Sequence, residues 1–287
     1  MNRSMFALIY GIVAALDPRP ALAQPWSFTR IADANTIVPG AVVPFQRFGI
    51  PSIQAGVVAF SGFRDFPSPV TAGLYAGSGG ALTVIADHTT AAPGGSGNFT
   101  GFGYVGNSWP SMNGSDIAFH GEEFGAVVPT GIYYRHGGEL TKVVDYQTPI
   151  PNGGGGTFSI MQQPSVENGR VVFPGWEAGN AQRGVYSWQS GALSIVADTS
   201  TPIPGGSGNF TNFTSASLDN DQVMFRGDGA GGYGGIFLAS PAGSISRLYD
   251  TNTVVPGGNG GTFTGLGGVF DSGCVAFYGA GGGQGGI

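Results

Sequence analysis

Aromatic, acidic and basic side chains gather in four loops of the sequence, each of which follows a Phe-x-Gly phrase. Aromatic rings can stack on the flat apolar faces of pyranose rings, and arginines and carboxylates can form bidentate hydrogen bonds with hydroxyl groups. These residue types together are what sugar recognition requires, so we take the loops as candidate binding sites. The candidate binding residues are Arg64, Asp65, Glu122, Glu123, Trp176, Glu177, Arg183, Asp228 and Tyr233.

The same carboxylates could instead perform acid–base chemistry. Glu122 with Glu123, or Glu177 with Asp65, could act as general acid and base if the fold held them on opposite sides of a glycosidic bond. Adjacent glutamates in one loop more often point apart into solvent. We therefore predict no catalytic residue and keep a secreted glycan-active enzyme, a hydrolase or lyase, as the alternative function.

Metal and cofactor chemistry has no motif in this chain. His88, His120 and His136 show neither an HExxH motif nor the spacing of paired metal ligands. His120 replaces a serine, a proline, an arginine or a tyrosine at the same position of other repeats, so it could face the candidate loops.

The glycine-rich runs at 94–97 and 205–208 are not phosphate-binding loops, because strands follow them, whereas a phosphate-binding loop needs a helix after its glycines. We predict no metal and no cofactor.

These loops recur because the chain is a tandem repeat. An aspartate phrase returns five times, at separations of 54, 58, 53 and 52 residues, and a Phe-x-Gly phrase follows it in phase. Self-similarity at such a period is typical of propellers and solenoids. The aspartates are Asp33, Asp87, Asp145, Asp198 and Asp250, and the phenylalanines are Phe60, Phe119, Phe173, Phe225 and Phe277.

Each period contains four short apolar or alternating runs separated by glycine-rich turns, which indicates strands and not helices. Four strands make one propeller blade. We therefore predict an all-β fold, a β-propeller of five blades with four antiparallel strands each, in which the five phenylalanines are buried at equivalent positions. The last blade is either incomplete or closed by the N-terminal strand.

The two ends of the sequence complement each other. An outer-strand phrase at 26–32 precedes the first inner strand, while the last period lacks its outermost strand, so we expect residues 26–32 to pair in the last blade. The third strand of that blade is cut at Ile287. We therefore expect the natural chain to continue beyond this residue.

The five aspartates allow two interpretations. They could form a ring of carboxylates that holds cations, or each could close a turn after its strand. Each aspartate precedes a threonine by three residues, so its side chain can accept backbone hydrogen bonds in an Asx-type turn. Because a fold requirement should repeat in every blade, we favour the turn.

Composition and charge restrict the compartment and the partners. Arg3, an apolar run at 5–16 and small residues at 21–23 indicate a signal peptide over 1–23, cleaved near Ala23, followed by a single propeller domain over 24–287. No stretch is apolar for long enough to span a membrane.

The charge of the chain restricts its partners: a formal net charge of −6 argues against nucleic acid as a binding partner. With Cys274 alone, no intrachain disulfide can form.

The phrase Asn-Asp-Gln-Val-Met-Phe-Arg-Gly at 220–227, with its counterparts in other periods, resembles bacterial tandem-repeat proteins named for an Asn, Gly and Ala-Phe signature (NxxGxxxAF). The departures from the pattern, near where it requires its Asn or Gly, are Ser111 or Asn113, Asn168 and Ser272. The resemblance covers nearly the whole mature chain. It implies an exported, propeller-like protein without established activity, and it brings no catalytic residues.

From these observations we predict a secreted, non-enzymatic binding module that takes a glycan, a cell-surface polymer or another protein through one face. In a four-stranded blade the loop between the second and third strands lies on the same face as the crossing between blades. Residues that differ between repeats in these loops are the best candidates for binding, because loops on a rigid scaffold usually carry function.

Overall fold

The computed structural model describes residues 27–64, 71–102, 109–123, 130–179, 182–257, 259–271, 273–281 and 284–286. The predicted signal peptide over 1–23 lies outside the described residues. By its internal contacts the chain divides into two units, 1–30 and 31–287. Residues 27–30 of the first unit form no helix or strand.

The second unit is all-β and consists of five consecutive antiparallel sheets, which we call blades 1 to 5 in chain order. The helical element among the described residues is a 3-10 turn at Ala230–Gly232.

The strands of each blade are as follows. Blade 1 holds β1 (Arg47–Phe48), β2 (Ser52–Gln54), β3 (Val57–Arg64), β4 (Thr71–Gly77) and β5 (Thr83–Asp87). Blade 2 holds β6 (Gly101–Phe102), β7 (Ser111–Asn113), β8 (Asp116–Glu122), β9 (Thr130–His136) and β10 (Glu139–Asp145). Blade 3 holds β11 (Phe158–Met161), β12 (Ser165–Glu167), β13 (Arg170–Glu177), β14 (Arg183–Gln189) and β15 (Ala192–Asp198). Blade 4 holds β16 (Asn212–Asp219), β17 (Gln222–Asp228), β18 (Gly234–Ala239) and β19 (Ile245–Asp250). Blade 5 holds β20 (Phe263–Asp271), β21 (Cys274–Gly281) and β22 (Gln284–Gly286).

The innermost strand differs among the blades. In blade 4 the strand order is β16-β17-β18-β19, whereas in blades 1 to 3 the innermost strand is divided into two pieces that both pair with the next strand. Pro51, Pro110 and Pro164 precede the second piece. A proline cannot donate a ladder hydrogen bond, so the strand breaks there. Blade 4 has Ala216 at this point and runs unbroken.

The blades pack face to face in chain order, with their innermost strands side by side. This is the packing of blades in a β-propeller, as predicted. Burial of Phe60, Phe119, Phe173 and Phe225 is confirmed, since none is more than 4% exposed, while Phe277 is half-buried. Each of these rings lies within 6.1 Å, centroid to centroid, of a phenylalanine at the start of its blade.

The Phe-x-Gly phrase repeats for a steric reason. Its glycine lies against the ring that begins the inner strand of the same blade. A Cβ on Gly121 would lie 2.4 Å from the ring of Phe99, and one on Gly227 would lie 2.6 Å from the ring of Phe210. Side-chain carbon atoms do not approach so closely without displacement, so the position excludes every larger residue.

Hydrogen bonds between inner strands join neighbouring blades. The Oγ of Ser111 accepts a bond of 3.1 Å from the backbone N–H of Val166, and the Oγ of Ser165 accepts one of 3.0 Å from Leu218. These serines sit at the same position of consecutive repeats. They satisfy inner-strand donors that have no ladder partner on that side.

Carboxylates join the blades a second time, at the turns between the first and second strands. The Oδ2 atom of Asp116 accepts a 2.7 Å bond from the N–H of Gly169 in the next blade, and the Oδ2 atom of Asp219 accepts a 2.7 Å bond from Gly273. Both aspartates are buried. At these two junctions the aspartate of one blade therefore holds the hairpin turn of the blade that follows it.

The predicted closing strand is wrong for the residues that the structure describes. Residues 27–32 form no strand, and Ile31 and Ala32 pack on the apolar cluster of blade 1, which includes Phe45 and Phe60. Among the described residues, blade 5 has three strands, of which β22 is the last.

Candidate functional site

The candidate residues that the structure describes lie at one end of their blades, where second strands finish and third strands begin. Register pairs Trp176 with Arg183 in blade 3 and Asp228 with Gly234 in blade 4. We call this end, together with the crossings between blades, the loop face. Strand register thus places the described candidate residues at this end of their blades.

A tryptophan and an arginine form the aromatic part of the site in blade 3. The guanidinium carbon of Arg183 lies 5.1 Å from the ring centroid of Trp176, which is a cation–π contact. Arg183 Nη1 also donates to Oδ1 of Asn212, the first residue of β16 in blade 4. Trp176, Arg183 and Asn212 are all half-buried, so their remaining surface is open to solvent.

The network continues across blade 4 into blade 5. Asn212 Nδ2 donates a 3.0 Å bond to Oδ2 of Asp228, while Nε and Nη2 of Arg226 approach Oδ1 of the same carboxylate at 3.4 Å. Arg226 Nη1 donates a 2.6 Å bond to the carbonyl of Leu266. We call Trp176, Arg183, Asn212, Asp228 and Arg226 the loop-face network.

Sequence reasoning missed Asn212 and Arg226 as members of this site. A signal for Asn212 was present, because the residue at this position changes from repeat to repeat: the other repeats hold Arg47, Gly101, Ile160 or Gly265. A position that is not conserved between repeats does not serve the repeated fold, so a polar residue there is a candidate for function. The sequence gives no signal for Arg226, because its partner, the carbonyl of Leu266, comes close to it only when blades 4 and 5 pack together.

Two of the predicted glutamates are engaged in the glycine-rich crossings of their own blades. Glu123 is buried, and its Oε1 atom accepts 3.0 Å bonds from the N–H and the hydroxyl of Ser96. Glu177 occupies the same position of blade 3, where a Cβ on Gly156 would lie 1.8 Å from its Oε2 atom. Both carboxylates point at loops instead of toward an opposing carboxylate.

Three further candidates make other contacts. Arg64 Nη1 donates a 3.3 Å bond to the carbonyl of Pro44, and the hydroxyl of Tyr233 donates a 3.1 Å bond to Oδ2 of Asp250. Glu122 ends β8 and pairs in register with Thr130 and Gly101. Asp65 lies outside the described residues.

His120 does not face the loops as proposed from the sequence. It is buried between blades, with Nε2 3.0 Å from the carbonyl of Gln162 in blade 3. Burial lowers the pKa of its imidazole, and the bond to the Gln162 carbonyl offsets only part of this effect. The ring is therefore a neutral packing element between blades 2 and 3.

The five repeated aspartates close turns, as predicted. Asp87 Oδ1 accepts bonds from the N–H of Thr89 at 2.9 Å and from the hydroxyl of Thr90 at 3.1 Å. Burial opposes ionisation of Asp87, but these hydrogen bonds outweigh it and hold the pKa of the carboxyl below its ordinary value. The same pair of contacts forms at Asp33, Asp145, Asp198 and Asp250.

The second carboxylate oxygen is also engaged in three of them, Asp145, Asp198 and Asp250. Asp145 Oδ2 accepts a 2.6 Å bond from Lys142, and Asp250 Oδ2 accepts a 2.7 Å bond from Arg247. Across the described part of the chain, no three His, Cys, Asp or Glu side chains come together as a metal site. The contacts favour turn closure over cation binding.

Five face-packed antiparallel sheets with a hydrogen-bonded loop face define this chain as a β-propeller-type repeat protein. The chain belongs to a family of unknown function, DUF7453, whose model matches residues 22–181 and 116–285. Family membership assigns no activity, and the resemblance to the Asn, Gly and Ala-Phe repeat proteins stays a prediction. No curated protein matches the chain. None of the described helices is long and apolar enough to cross a membrane.

Several solved structures resemble the fold at low identity. TolB from Acinetobacter baumannii is 11% identical with a TM-score of 0.42, over 80% of this chain and 50% of that one. The β-propeller domain of the Trilobed protease from Pyrococcus furiosus is 15% identical with a TM-score of 0.45, over 72% and 56%. An acylaminoacyl peptidase from Pyrococcus horikoshii is 14% identical with a TM-score of 0.45, over 83% and 33%. The chain thus spans about half, or less, of these proteins.

Proposed function

We propose that this protein is an exported, non-enzymatic binding module that takes a glycan on its loop face, at the loop-face network. The observation that carries the proposal is the contact of Trp176 with Arg183, tied through Asn212 to Asp228. An aromatic ring beside hydrogen-bonding groups of both signs matches a sugar, which is apolar on its ring faces and polar at its hydroxyls. Export through a signal peptide over 1–23 and a single domain over 24–287 are parts of the same proposal.

The network is pre-organised, which favours binding. Arg183 holds one side of the indole and is itself held by Asn212, so neither side chain must be ordered when a ligand arrives. Ordering a flexible side chain at an interface costs about 0.5–1.5 kcal/mol. A ligand would meet a rigid aromatic surface with an amide and a carboxylate beside it.

The carboxylate contacts support binding over glycoside cleavage. A glycosidase needs two carboxyl groups facing the scissile bond, about 5–10 Å apart. Glu123 is turned into its own crossing loop by Ser96, and both oxygens of Asp228 are approached by Asn212 and Arg226. These groups are engaged within the protein.

A glycan array combined with a hydrolysis screen on the mature chain tests the proposal. We expect binding without product formation, and at least tenfold weaker binding for Trp176→Ala and Arg183→Ala. Arg135→Ala is the control for Arg183→Ala, because Arg135 lies near the opposite end of a third strand. Thermal melts check that each variant folds.

Two outcomes would overturn this function. Release of hydrolysis products would establish the enzymatic alternative. Binding that survives both Trp176→Ala and Arg183→Ala, or no binding to any glycan, would remove the loop-face network from the function.

A further inference from the structure

Two crossings between blades share the same eight residues. The sequence Pro-Gly-Gly-Ser-Gly-Asn-Phe-Thr stands at 93–100, which leads into blade 2, and again at 204–211, which leads into blade 4. Their turns also form the same hydrogen bond: the N–H of Gly95 donates to the carbonyl of Ala92 at 3.0 Å, and the N–H of Gly206 donates to that of Ile203 at 3.1 Å. Differences between the two crossings therefore come from the residues that surround them.

The crossing into blade 2 binds a carboxylate of the protein. The N–H of Ser96 donates to Oε1 and Oε2 of Glu123 at 3.0 and 3.3 Å, and its hydroxyl donates to Oε1 at 3.0 Å. A Cβ on Gly95 would lie 2.0 Å from Oε2, so this glycine leaves the space that the carboxylate occupies. Turns that present N–H groups in this way favour anions, and hydrogen bonds to a charged acceptor are strong. This eight-residue sequence thus folds into a carboxylate-binding loop.

The crossing into blade 4 has no such carboxylate. Glu123 follows the glycine of its Phe-x-Gly phrase by two residues, and Gly229 holds this position in blade 4. Ser207, the counterpart of Ser96, is exposed, and neither its N–H nor its hydroxyl hydrogen-bonds to the described part of the chain. The donors that bind Glu123 in blade 2 are therefore open to solvent in blade 4.

The space beside Ser207 is filled on one side and open on the other. Cζ of Tyr233 lies 3.6 Å from the Cβ that Gly206 would carry, whereas a Cβ on Gly208 would meet no atom within 4 Å. Gly208 has a φ of +73°, while its counterpart Gly97 has no positive φ. Since glycine adopts both conformations readily, a bound carboxylate can select that of Gly97.

Each of the two crossings has a cation beside its first glycine. Arg247 Nη1 donates a 3.3 Å bond to the carbonyl of Gly205, and a Cβ on Gly94 would lie 2.9 Å from Nζ of Lys142. Each cation also bonds to the turn aspartate three residues after it. Glu123 binds beside Lys142 despite that pairing, so the positive charge in blade 4 equally suits an anion.

An open groove connects the crossing into blade 4 with the loop-face network. Its lining includes Gly208, which follows Ser207, and Thr211, which precedes Asn212 of the network. A ligand that lies in this groove would therefore reach from the donors of Ser207 to the side of the network that bears Asn212.

We propose that the crossing into blade 4 binds a carboxyl group of the ligand, at the N–H and hydroxyl of Ser207, and that the glycan of the loop face is an acidic one, built from uronic acids or other carboxylated sugars. The ligand supplies in blade 4 the group that Glu123 supplies in blade 2. The sugar rests on the proposed function, whereas the carboxylate rests on the comparison of two crossings with one sequence.

The experiment follows the backbone amide signals of the ¹⁵N-labelled mature chain in NMR spectra during titration with sodium glucuronate. Glucose and sodium chloride are the controls for the sugar ring and for ionic strength. We expect glucuronate to shift the Ser207 amide signal in a saturable manner, because the carboxylate accepts its N–H. The Ser96 amide signal should stay in place, since Glu123 already occupies that loop.

A variant with the residues of blade 2 in blade 4 tests the site directly. Gly229→Glu supplies the missing carboxylate, and Gly229 has an extended φ of −130° that any residue adopts. Ile203→Ala accompanies it, because a Cβ on Gly229 would lie 2.5 Å from Cδ1 of Ile203 and blade 2 has Ala92 there. We expect at least tenfold weaker glucuronate binding. Gly229→Ala with Ile203→Ala is the matched control and should keep its affinity, and thermal melts check that both variants fold.

The proposal is overturned if glucuronate leaves the Ser207 signal in place, if glucose shifts it as strongly, if Ser96 shifts equally, or if both double variants bind alike. Neutral glycans that bind at Trp176 as tightly as acidic ones, without a shift at Ser207, would overturn this inference and keep the proposed function. A shift at Ser207 with glucuronate, in a protein whose Trp176 takes part in no glycan binding, would support the carboxylate site and remove the proposed function.

Discussion

At the scale of single residues, positions that repeat serve the fold and positions that break the repeat serve the candidate site. Phe173 and Gly175 recur in every blade because the phenylalanine fills the space between blades and the glycine admits the ring of Phe158. Trp176 and Asn212 do not recur, and both belong to the loop-face network. The distinction can be tested by substitution.

Phe173→Ala should destabilise the protein by about 3–5 kcal/mol, because the fully buried ring leaves a cavity that the neighbouring sheets cannot fill. Urea unfolding followed by fluorescence measures the loss. Ile160→Ala is the control, since Ile160 is exposed and should cost less than about 1 kcal/mol. Similar losses for both would contradict the assigned burial of Phe173.

Tyr186→Phe should leave the stability unchanged or raise it by up to about 1 kcal/mol. The Tyr186 hydroxyl is buried without a hydrogen-bond partner among the described residues, and burial, together with the nearby Asp198 carboxylate, raises its pKa. Blade 4 already carries Phe237 at this register position. A loss above about 1 kcal/mol would show that the hydroxyl has a partner, and the same unfolding assay decides.

At the scale of the strands and turns, close approach decides which glycines can be replaced. The Cβ of an alanine at position 227 would lie 2.6 Å from Phe210, whereas one at position 267 would have no neighbour within 4 Å. Both glycines are in strands and neither has a positive φ. The two sites therefore differ in packing and share their backbone conformation.

Gly227→Ala should destabilise by about 1–3 kcal/mol, because the ring of Phe210 must move within a packed core. Gly267→Ala should be neutral or slightly stabilising, since alanine lowers the entropy of the unfolded chain. Thermal melts of the two variants make the comparison. Equal shifts in melting temperature would refute the steric account of the Phe-x-Gly phrase.

At the scale of the whole molecule, the turn aspartates make stability depend on pH. Burial opposes ionisation of Asp145 and Asp250, but hydrogen bonds from turn residues and nearby cations outweigh it and hold the pKa of each carboxyl below its ordinary value. The unfolded chain therefore takes up protons at a higher pH than the folded chain. The stabilisation is complete above the unfolded pKa of about 3.9 and is lost as the pH falls through the lower folded values.

His120 adds an earlier effect of the same sign. Because burial lowers its pKa in the folded protein, the unfolded chain binds the proton first as the pH falls below about 6.5. We expect a shallow decrease in stability below about pH 6.5 and a steeper one below about pH 4. His120→Gln should remove the first decrease and keep the second, and a stability independent of pH from 7 to 3 would exclude both.

The sequence by itself determined the strand content, the five-fold repeat, the burial of the blade phenylalanines and the turn role of Asp87 and its counterparts. Each of these follows from local pattern: alternation within a run, one period along the chain, and a side chain bonded to backbone two or three residues away. The division of the inner strands also follows from local sequence, because Pro110 and Pro164 lack the N–H that a ladder hydrogen bond needs.

Tertiary structure alone decided the contacts between distant parts of the chain. The sequence predicts Glu123 and Glu177 as loop carboxylates, but in the structure they contact glycine-rich crossings about 20–30 residues away in sequence. Arg183 contacts Asn212 only because blades 3 and 4 pack together. Residues 26–32 carried the pattern of an outer strand, but a strand forms only where a neighbour offers donors and acceptors. Pattern along a sequence describes one element at a time, while hydrogen bonding and packing between elements depend on what each side chain meets in space.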